Sequence, residues 1–298
     1  MRKLGLALVA IFAAMSLLGG CTSKPQKSSG KMLVAASIGP LGNFANEVGG
    51  NLVDVQVLVQ PGASPHTYQL SADQMEMLSQ ASVLVLNGLH LEFWADKAIN
   101  AADNPKLIVV HTADGLPVIE GKDEEHGDVH PGGNPHVWLN PMYAIHQVET
   151  IRDAFIKADP SHKSQYTKNA ADYVAKLRKL DKDIRAEVAT FKSRDFITFH
   201  PTWVYFAREY GLVEAAAIEK SPGREPSPSE IGDIVDLCKR EHIRAIFAEP
   251  QFSPKAAEVV ADECGARVLM LNTIGQPPDF DYIKMMRDNV NEMAKALK

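Results

Sequence analysis

Three histidines in this sequence each stand next to a proline, and the imidazole ring is a common metal ligand. They are His66 in "SPHTYQ", His136 in "NPHVWL" and His200 in "FHPTWV". A proline fixes its own φ angle and so stiffens the backbone beside each histidine. Because a metal site needs ligands in well-defined positions, this pattern predicts that the three imidazoles bind one ion.

The positions of these histidines indicate how the fold would bring them together. His66 follows the apolar, strand-like residues 53–59, and His200 ends the strand-like residues 196–200. Ligands of open α/β sheets bind beyond the carboxyl ends of the strands. The three histidines are too far apart in sequence to share a helix. We therefore expect the site to form only when separate parts of the chain pack together.

Short apolar runs alternate with helical patterns along the chain, which predicts α/β structure with parallel sheets. Residues 161–191 contain no glycine or proline and predict one long helix. Ser71 with Gln74 and Ser227 with Glu230 have the spacing of capping boxes. The predicted fold is two α/β lobes with parallel sheets, joined by a single long spanning helix, with the metal in the cleft between them. The predicted strands are residues 32–37, 53–59, 82–88, 106–111, 196–200, 213–219, 244–249 and 266–272.

The composition, 45% hydrophobic and 23% charged, permits a large core and one or two domains. We expect an N-terminal lobe at residues 32–141, a helical segment at 142–191 that includes the connecting helix, and a C-terminal lobe at 192–298. The formal net charge of -6 argues against nucleic acid as a partner, because phosphate binding needs a basic surface.

The N-terminus has the layout of an export signal. Residues 1–20 combine two basic residues, a short apolar run and small residues, which is typical of a secretory signal peptide. The ending "LLGGC" resembles the lipobox of bacterial lipoproteins and implies a lipid on Cys21. Residues 21–31 are then a lipidated flexible linker that anchors an exported protein to a bacterial membrane, facing the periplasm or the cell exterior. The alternative is a cleaved signal followed by an incidental cysteine.

Two further cysteines, Cys238 and Cys264, would meet an oxidising compartment after export. A disulfide between them is permitted there. Two buried free thiols are the alternative, because cysteine packs as a small hydrophobic residue. The sequence does not decide between these two states.

Five stretches, in order along the chain, carry a resemblance to a known family. With them the chain resembles, from about residue 32 to its end, the zinc- and manganese-binding solute-binding proteins of ABC transporters, the ZnuA-like family. The resemblance implies a monomeric receptor, not an enzyme, that delivers one metal ion to an ABC permease and its ATPase. The stretches are "PGASPHTYQLSADQ", "NPHVWLNP", "FHPTWVYFAREYGL", "EPSPSEIGDIVDLCKREHIRAIFAEPQFSPK" and the ending "LNTIG...DYIKMMRDNVNEMAKAL".

By position, the resemblance makes His66, His136 and His200 the first three ligands. A histidine at the third position is typical of zinc members and a glutamate of manganese members. His200 therefore favours Zn²⁺ over Mn²⁺, in agreement with the general preference of imidazole for zinc and of carboxylates for manganese.

The fourth ligand position departs from the family pattern. Many members have an aspartate where this chain has Asn272 in "LNTIG". Asn272 is a possible neutral ligand. Glu249 in "FAEPQF" is a second possibility, either as a direct ligand or as a residue that orients a histidine ring. A bound water could equally complete the tetrahedron.

Residues 121–133, "GKDEEHGDVHPGG", form a short acidic stretch that contains His126 and His130. Zinc members often carry a longer loop rich in histidine and acidic residues here. The stretch is either a loop that collects metal or a solvated charged loop, and we do not count its histidines as site residues.

Parts of the sequence are also compatible with functions other than a metal receptor. Three histidines with an open fourth position also occur in catalytic zinc sites, with Glu249 then a general base, which would make a secreted zinc-dependent hydrolase. The sequence contains neither H-E-x-x-H nor a nucleophile elbow, which argues against that class. A manganese receptor, and an adhesin or metal-storage lipoprotein on the same scaffold, are further alternatives.

Overall fold

A computed structural model describes residues 30–120, 132–220, 223–277 and 280–298. The predicted signal peptide, Cys21 and almost all of the predicted linker lie outside these residues, as do His126 and His130. The strands are β1 (Met32–Ala36), β2 (Val53–Val57), β3 (Val83–Leu86), β4 (Ile108–His111), β5 (Asp195–Thr198), β6 (Val213–Ala217), β7 (Ala245–Ala248) and β8 (Arg267–Met270). The helices are α1 (Gly39–Gly49), α2 (Ala72–Gln80), α3 (Ala95–Ala102), α4 (Pro141–Ala158), α5 (Lys163–Val188), α6 (Val204–Tyr210), α7 (Pro228–Arg240), α8 (Lys255–Cys264) and α9 (Tyr282–Leu297).

The strands form two parallel four-stranded sheets with the same internal order. The first sheet has the order β2-β1-β3-β4 and the second the order β6-β5-β7-β8. All pairs are parallel, which confirms the prediction from the alternating pattern. In each sheet the chain reverses its direction of progress between the two central strands, β1 and β3 or β5 and β7. The loops that follow these strands therefore diverge and leave a crevice for ligands.

The long helix α5 is central to the packing of both sheets. It begins at Lys163, after a 3₁₀ turn at Pro160–His162, and so is shorter than the predicted residues 161–191. It packs against α1 and α4 on one side and against α9 on the other. One hydrophobic core runs from the first sheet through these helices into the second sheet. The residues of α5 buried in this core recur every three or four positions: Tyr166, Ala170, Tyr173, Leu177, Leu180, Ile184 and Val188.

Residues 31–298 form one compact unit. The lobe boundaries after residues 141 and 191 therefore stay predictions. Among the described residues, no helix has both the length and the apolar character that a membrane span requires.

Local sequence signals act as predicted at two helix starts. At α2 the Ser71 side chain accepts from the Gln74 backbone N–H while the Gln74 side chain accepts from the Ser71 N–H. Ser227 and Glu230 form the same reciprocal pair at α7. Both capping boxes are confirmed, and each satisfies backbone donors that a helix N-terminus leaves unpaired.

Cys238 and Cys264 form a disulfide, so the structure decides between the two states that the sequence left open. The bond joins α7 to α8 on one face of the second sheet, with the two Cα atoms 6.1 Å apart. It encloses the strand β7 and therefore ties together the elements that flank Glu249.

Candidate metal centre

The structure brings His66, His136 and His200 together from three separate loops. His66 lies in the connection between β2 and α2, His136 precedes a 3₁₀ turn (Val137–Leu139) that leads into α4, and His200 follows β5. All three are buried, with 6%, 3% and 3% of their surfaces exposed. Their candidate ligand atoms lie within 4.8 Å of one another. Histidines placed far apart in sequence thus form one compact cluster.

The spacing of the ring nitrogens matches a tetrahedral zinc ion. The Nε2 atom of His136 is 3.1 Å from that of His66 and 3.3 Å from that of His200. With zinc–nitrogen bonds of about 2.0–2.1 Å, ligand nitrogens are about 3.3–3.4 Å apart in a tetrahedron and about 3.5–3.6 Å apart in a planar triangle. These two distances lie closer to the tetrahedral value, and three histidines on a tetrahedral ion would leave one vertex for a further ligand.

The partner of each Nδ1 atom sets the state of two of the rings. The Nδ1 atom of His136 is 3.0 Å from the Asn134 Oδ1 atom, which is an acceptor only, so His136 carries its proton on Nδ1. The Nδ1 atom of His200 is 2.5 Å from Glu249 Oε1 and likewise carries a proton. The Nε2 lone pairs of the two rings then face each other, and a shared cation, whether a metal ion or a proton, satisfies both.

Glu249 is buried, with 1% of its surface exposed, and lies directly after β7. Its Oε1 atom pairs with His200, and its Oε2 atom accepts hydrogen bonds from Gln251 Nε2 at 2.8 Å and Thr273 Oγ1 at 2.8 Å. The carboxylate is held from both sides, so it cannot move toward the ion without breaking these bonds. In this geometry the carboxylate holds the His200 ring, and the role of Glu249 toward the ion stays a prediction.

The charge of Glu249 also affects His200. Burial lowers the pKa of His200, but the attraction and hydrogen bond of the Glu249 carboxylate raise it by more, so that it lies above the usual histidine value. Because Glu249 sits on the far nitrogen, it provides the negative charge nearest to the cluster without occupying a ligand position.

The Asn272 side chain is engaged by its own turn in this structure, and its role as a possible fourth ligand stays a prediction. Its Oδ1 atom accepts from the backbone N–H groups of Ile274 and Gly275 at 3.2 and 2.8 Å. The side chain thus shapes the turn after β8 instead of facing the histidines. The next residue, Thr273, lines the cavity instead.

Asn134 is a site residue that the sequence reasoning missed. Its Oδ1 atom accepts from the backbone N–H of His136 as well as from the ring. Its Nδ2 atom donates to the Pro201 carbonyl at 2.5 Å, next to His200. One side chain therefore fixes the position of two of the three histidines relative to each other. The sequence feature that could have identified Asn134 is its position two residues before His136.

Aromatic side chains form the apolar walls of the cavity. The Trp138 ring packs edge-on against His136 and donates from Nε1 to the Thr273 carbonyl at 2.7 Å. Phe252 packs edge-on against His200. Trp138 and Phe252 thus both line the cavity. The cavity enclosed by these residues and the three histidines has a volume of about 10 Å³.

Comparisons with known proteins point in one direction. The family model described as "Zinc-uptake complex component A periplasmic" matches residues 34–296. The high-affinity zinc uptake system protein ZnuA of Bacillus subtilis is 29% identical over 308 residues, 97% of each chain. A crystal structure of a protein named ZnuA has a TM-score of 0.80 and 33% identity, and the match covers 89% of this chain and 99% of that one.

The zinc-binding lipoprotein AdcA of Streptococcus pneumoniae strain R6 is 30% identical over 311 residues. The match covers 100% of this chain but only 61% of AdcA. The chain thus spans less than two thirds of the length of that relative.

Proposed function

Because the chain belongs to the ZnuA family of periplasmic zinc-uptake components, we propose that it is an extracytoplasmic receptor that captures Zn²⁺ and delivers it to an ABC permease. The observation that carries this proposal is the buried cluster of three imidazoles with tetrahedral nitrogen spacing. His66, His136 and His200 bind the ion through Nε2 in this proposal, and the chain performs no covalent chemistry.

Zinc is the preferred cargo on chemical grounds. The cluster offers three nitrogen donors, which suit zinc, whereas manganese favours carboxylate and water oxygens. The carboxylate of Glu249, which contacts the cluster at His200, is engaged by His200, Gln251 and Thr273. Glu249 then compensates part of the ion's charge and holds the His200 ring in place.

The partners follow from this role. The protein presents its ion to a membrane permease that is driven by an ATPase, and the lipid predicted on Cys21 keeps it at the membrane surface. The three histidines come from one chain, so the proposed site needs no second copy, and the family resemblance implies a monomer. The relatives named for zinc binding and zinc uptake support the transport role.

Metal-binding measurements test this proposal directly. Protein stripped of metal should take up one Zn²⁺ per chain and prefer it to Mn²⁺ in a competition titration. Alanine at His66, His136 or His200 should each weaken zinc binding at least about tenfold, because each removes a ligand. The matched control is His162→Ala, since His162 is half-exposed and pairs with Asp159 away from the cluster.

Other outcomes would favour the alternative functions. Equal losses in the three histidine variants and in the control would contradict the assignment of the site. Zinc-dependent hydrolysis that disappears on metal removal would favour the hydrolase. Unchanged high-affinity zinc uptake in cells that lack the protein would favour the adhesin or storage role.

A further inference from the structure

The hydroxyl group of Tyr205 joins two backbone segments near the histidine cluster. Tyr205 lies in α6, and 1% of its surface is exposed. Its hydroxyl donates to the Asn134 carbonyl at 2.7 Å and accepts from the Ile119 backbone N–H at 3.1 Å. The Asn134 N–H in turn donates to the Ile119 carbonyl at 2.9 Å. One buried hydroxyl therefore fixes the place of the Asn134 backbone.

Apolar packing holds the Tyr205 ring in place. The ring belongs to a cluster with Ala113 and Val137, and its centroid lies 5.6 Å from that of Tyr143. Burial raises the pKa of Tyr205, so its hydroxyl keeps the proton that it donates. The two hydrogen bonds of this hydroxyl join residues 71 and 86 positions apart in sequence. They thus connect α6 to two segments that follow β4 in the chain.

The side chain of Asn134 carries this placement to two of the histidines. Its Oδ1 atom accepts from the backbone and the ring of His136, both at 3.0 Å, and its Nδ2 atom donates to the Pro201 carbonyl beside His200. The Nε2 atoms of these two histidines are 3.3 Å apart. Because a metal site needs its ligand atoms in well-defined positions, a shift of Asn134 would disturb both ligands.

We propose that Tyr205 is a positioning residue of the metal site: it holds the Asn134 side chain between His136 and His200 and thereby slows the release of zinc. This inference rests on the proposed function. Groups behind the ligands of a metal orient those ligands, and ligands held in place before binding lose less freedom when the ion arrives. Without the hydroxyl, Asn134 and the two rings reach other positions, and the ion dissociates faster.

The variant Tyr205→Phe removes the hydroxyl and keeps the ring. Competition with a chelator should show zinc binding roughly two- to tenfold weaker, the range expected for loss of one hydrogen bond. Stopped-flow measurements should show that the dissociation rate carries this change. The matched control is Tyr143→Phe, because the Tyr143 ring packs against that of Tyr205 while the hydroxyl bound to Asn134 is that of Tyr205. The control should bind zinc within about twofold of the wild type.

A double-mutant cycle tests whether Tyr205 acts through the Asn134 side chain. Asn134→Ala should weaken zinc binding by about 10- to 100-fold. In that background Tyr205→Phe should cause a further loss of less than about twofold, because the side chain that it positions is gone. A merely structural role of Tyr205 predicts the same loss in both backgrounds, and that result would overturn the proposal.

Exchange of the His136 Nδ1 proton with water gives a readout that does not depend on the Asn134 variant. In zinc-loaded protein followed by NMR, this exchange should be faster in Tyr205→Phe than in the wild type, because Asn134 Oδ1 holds the proton less firmly. An unchanged exchange rate would overturn the positioning role. A change in thermal stability alone, with zinc affinity and proton exchange as in the wild type, would also overturn it.

Two failures would be distinguishable. Wild-type protein that binds zinc on the three histidines, with Tyr205→Phe unchanged in affinity, would overturn the role of Tyr205 and leave the receptor standing. Wild-type protein that binds no zinc would overturn the receptor and the role of Tyr205 together.

Discussion

Replacing Glu249 by glutamine tests whether a carboxylate behind a ligand controls metal affinity. The substitution removes one negative charge but keeps the shape of the side chain and an oxygen that can accept from His200 Nδ1. It also places an amide where Oε2 now accepts from Gln251 and Thr273. The bond between His200 and Glu249 is 2.5 Å long and buried, so replacing its charged acceptor by a neutral one should weaken zinc binding strongly for a group outside the ligand set.

The expected size follows from the strength of this bond. A hydrogen bond to a charged group contributes about 1.5–3 kcal/mol, which corresponds to roughly 10- to 150-fold in a dissociation constant. Loss of a residue that supports a metal ligand typically weakens binding by about 10- to 100-fold. We therefore expect Glu249→Gln to weaken zinc binding by one to two orders of magnitude, measured by competition with a chelator of known affinity.

The matched control is Glu219→Gln. Glu219 is also a mostly buried carboxylate of the second sheet, with 8% of its surface exposed, but it accepts from the Gly223 backbone and not from a histidine. The Glu219→Gln variant should bind zinc with an affinity within about twofold of the wild type. Thermal unfolding of the metal-free proteins should show that Glu249→Gln still folds. Folded Glu249→Gln protein with wild-type zinc affinity would refute the reasoning.

Three further predictions concern selectivity and stability. His200→Glu would place a second buried carboxylate beside that of Glu249, so we expect the variant to bind zinc at least about 100-fold more weakly. We expect useful Mn²⁺ binding only when His200→Glu is combined with Glu249→Gln. A His200→Glu single variant that prefers Mn²⁺ in competition titrations would contradict this. Burial raises the pKa of Glu214 from 4.5 to about 7, so the folded protein favours the protonated carboxylic acid at this position. The protein therefore loses stability as the pH rises from 4.5 to about 7. Glu214→Gln should therefore raise the free energy of unfolding by at most about 3 kcal/mol at pH near 8 and by almost nothing near pH 4.5, as measured by urea denaturation. Equal effects at both pH values would contradict the role of Glu214 ionisation. Replacing Cys238 and Cys264 by serine should lower the free energy of unfolding by about 3.5 kcal/mol, because the bond closes a loop of sequence separation 26, while zinc affinity stays unchanged; a parallel loss of affinity would show that the bond also shapes the site.

The sequence predicted the parts of the fold that depend on local patterns. The eight strands overlap the eight apolar runs, and both capping boxes occur where their spacing placed them. The position of His200 at the end of β5 followed from the strand pattern, and that of His66 from the loop after β2. The long helix lies where it was predicted, but it is shorter, because a 3₁₀ turn precedes Lys163 and a hydrogen-bonded turn follows Val188.

Contacts between distant segments could not be predicted in the same way. The bond from Asn134 to the Pro201 carbonyl joins residues that only the packed sheets bring together. Asn272 occupies the expected ligand position in sequence, but the turn after β8 takes its side-chain oxygen for two backbone N–H groups. The bonds of the Tyr205 hydroxyl to Ile119 and Asn134 likewise depend on how these segments pack. Composition and spacing contain no information on these choices.

The hydrophobic core that runs through both sheets has a kinetic consequence. Because separating the two sheets would expose that core to water, a wide hinge motion is costly, and we expect the site to exist in its binding geometry before the ion arrives. A receptor whose binding-competent state is always populated loses no affinity to a conformational pre-equilibrium. Capture then proceeds at the rate at which ions reach the cavity, and no opening motion of the two sheets helps the ion to leave. Timely unloading becomes the task of the permease, which must supply the competing ligands that the receptor itself does not provide.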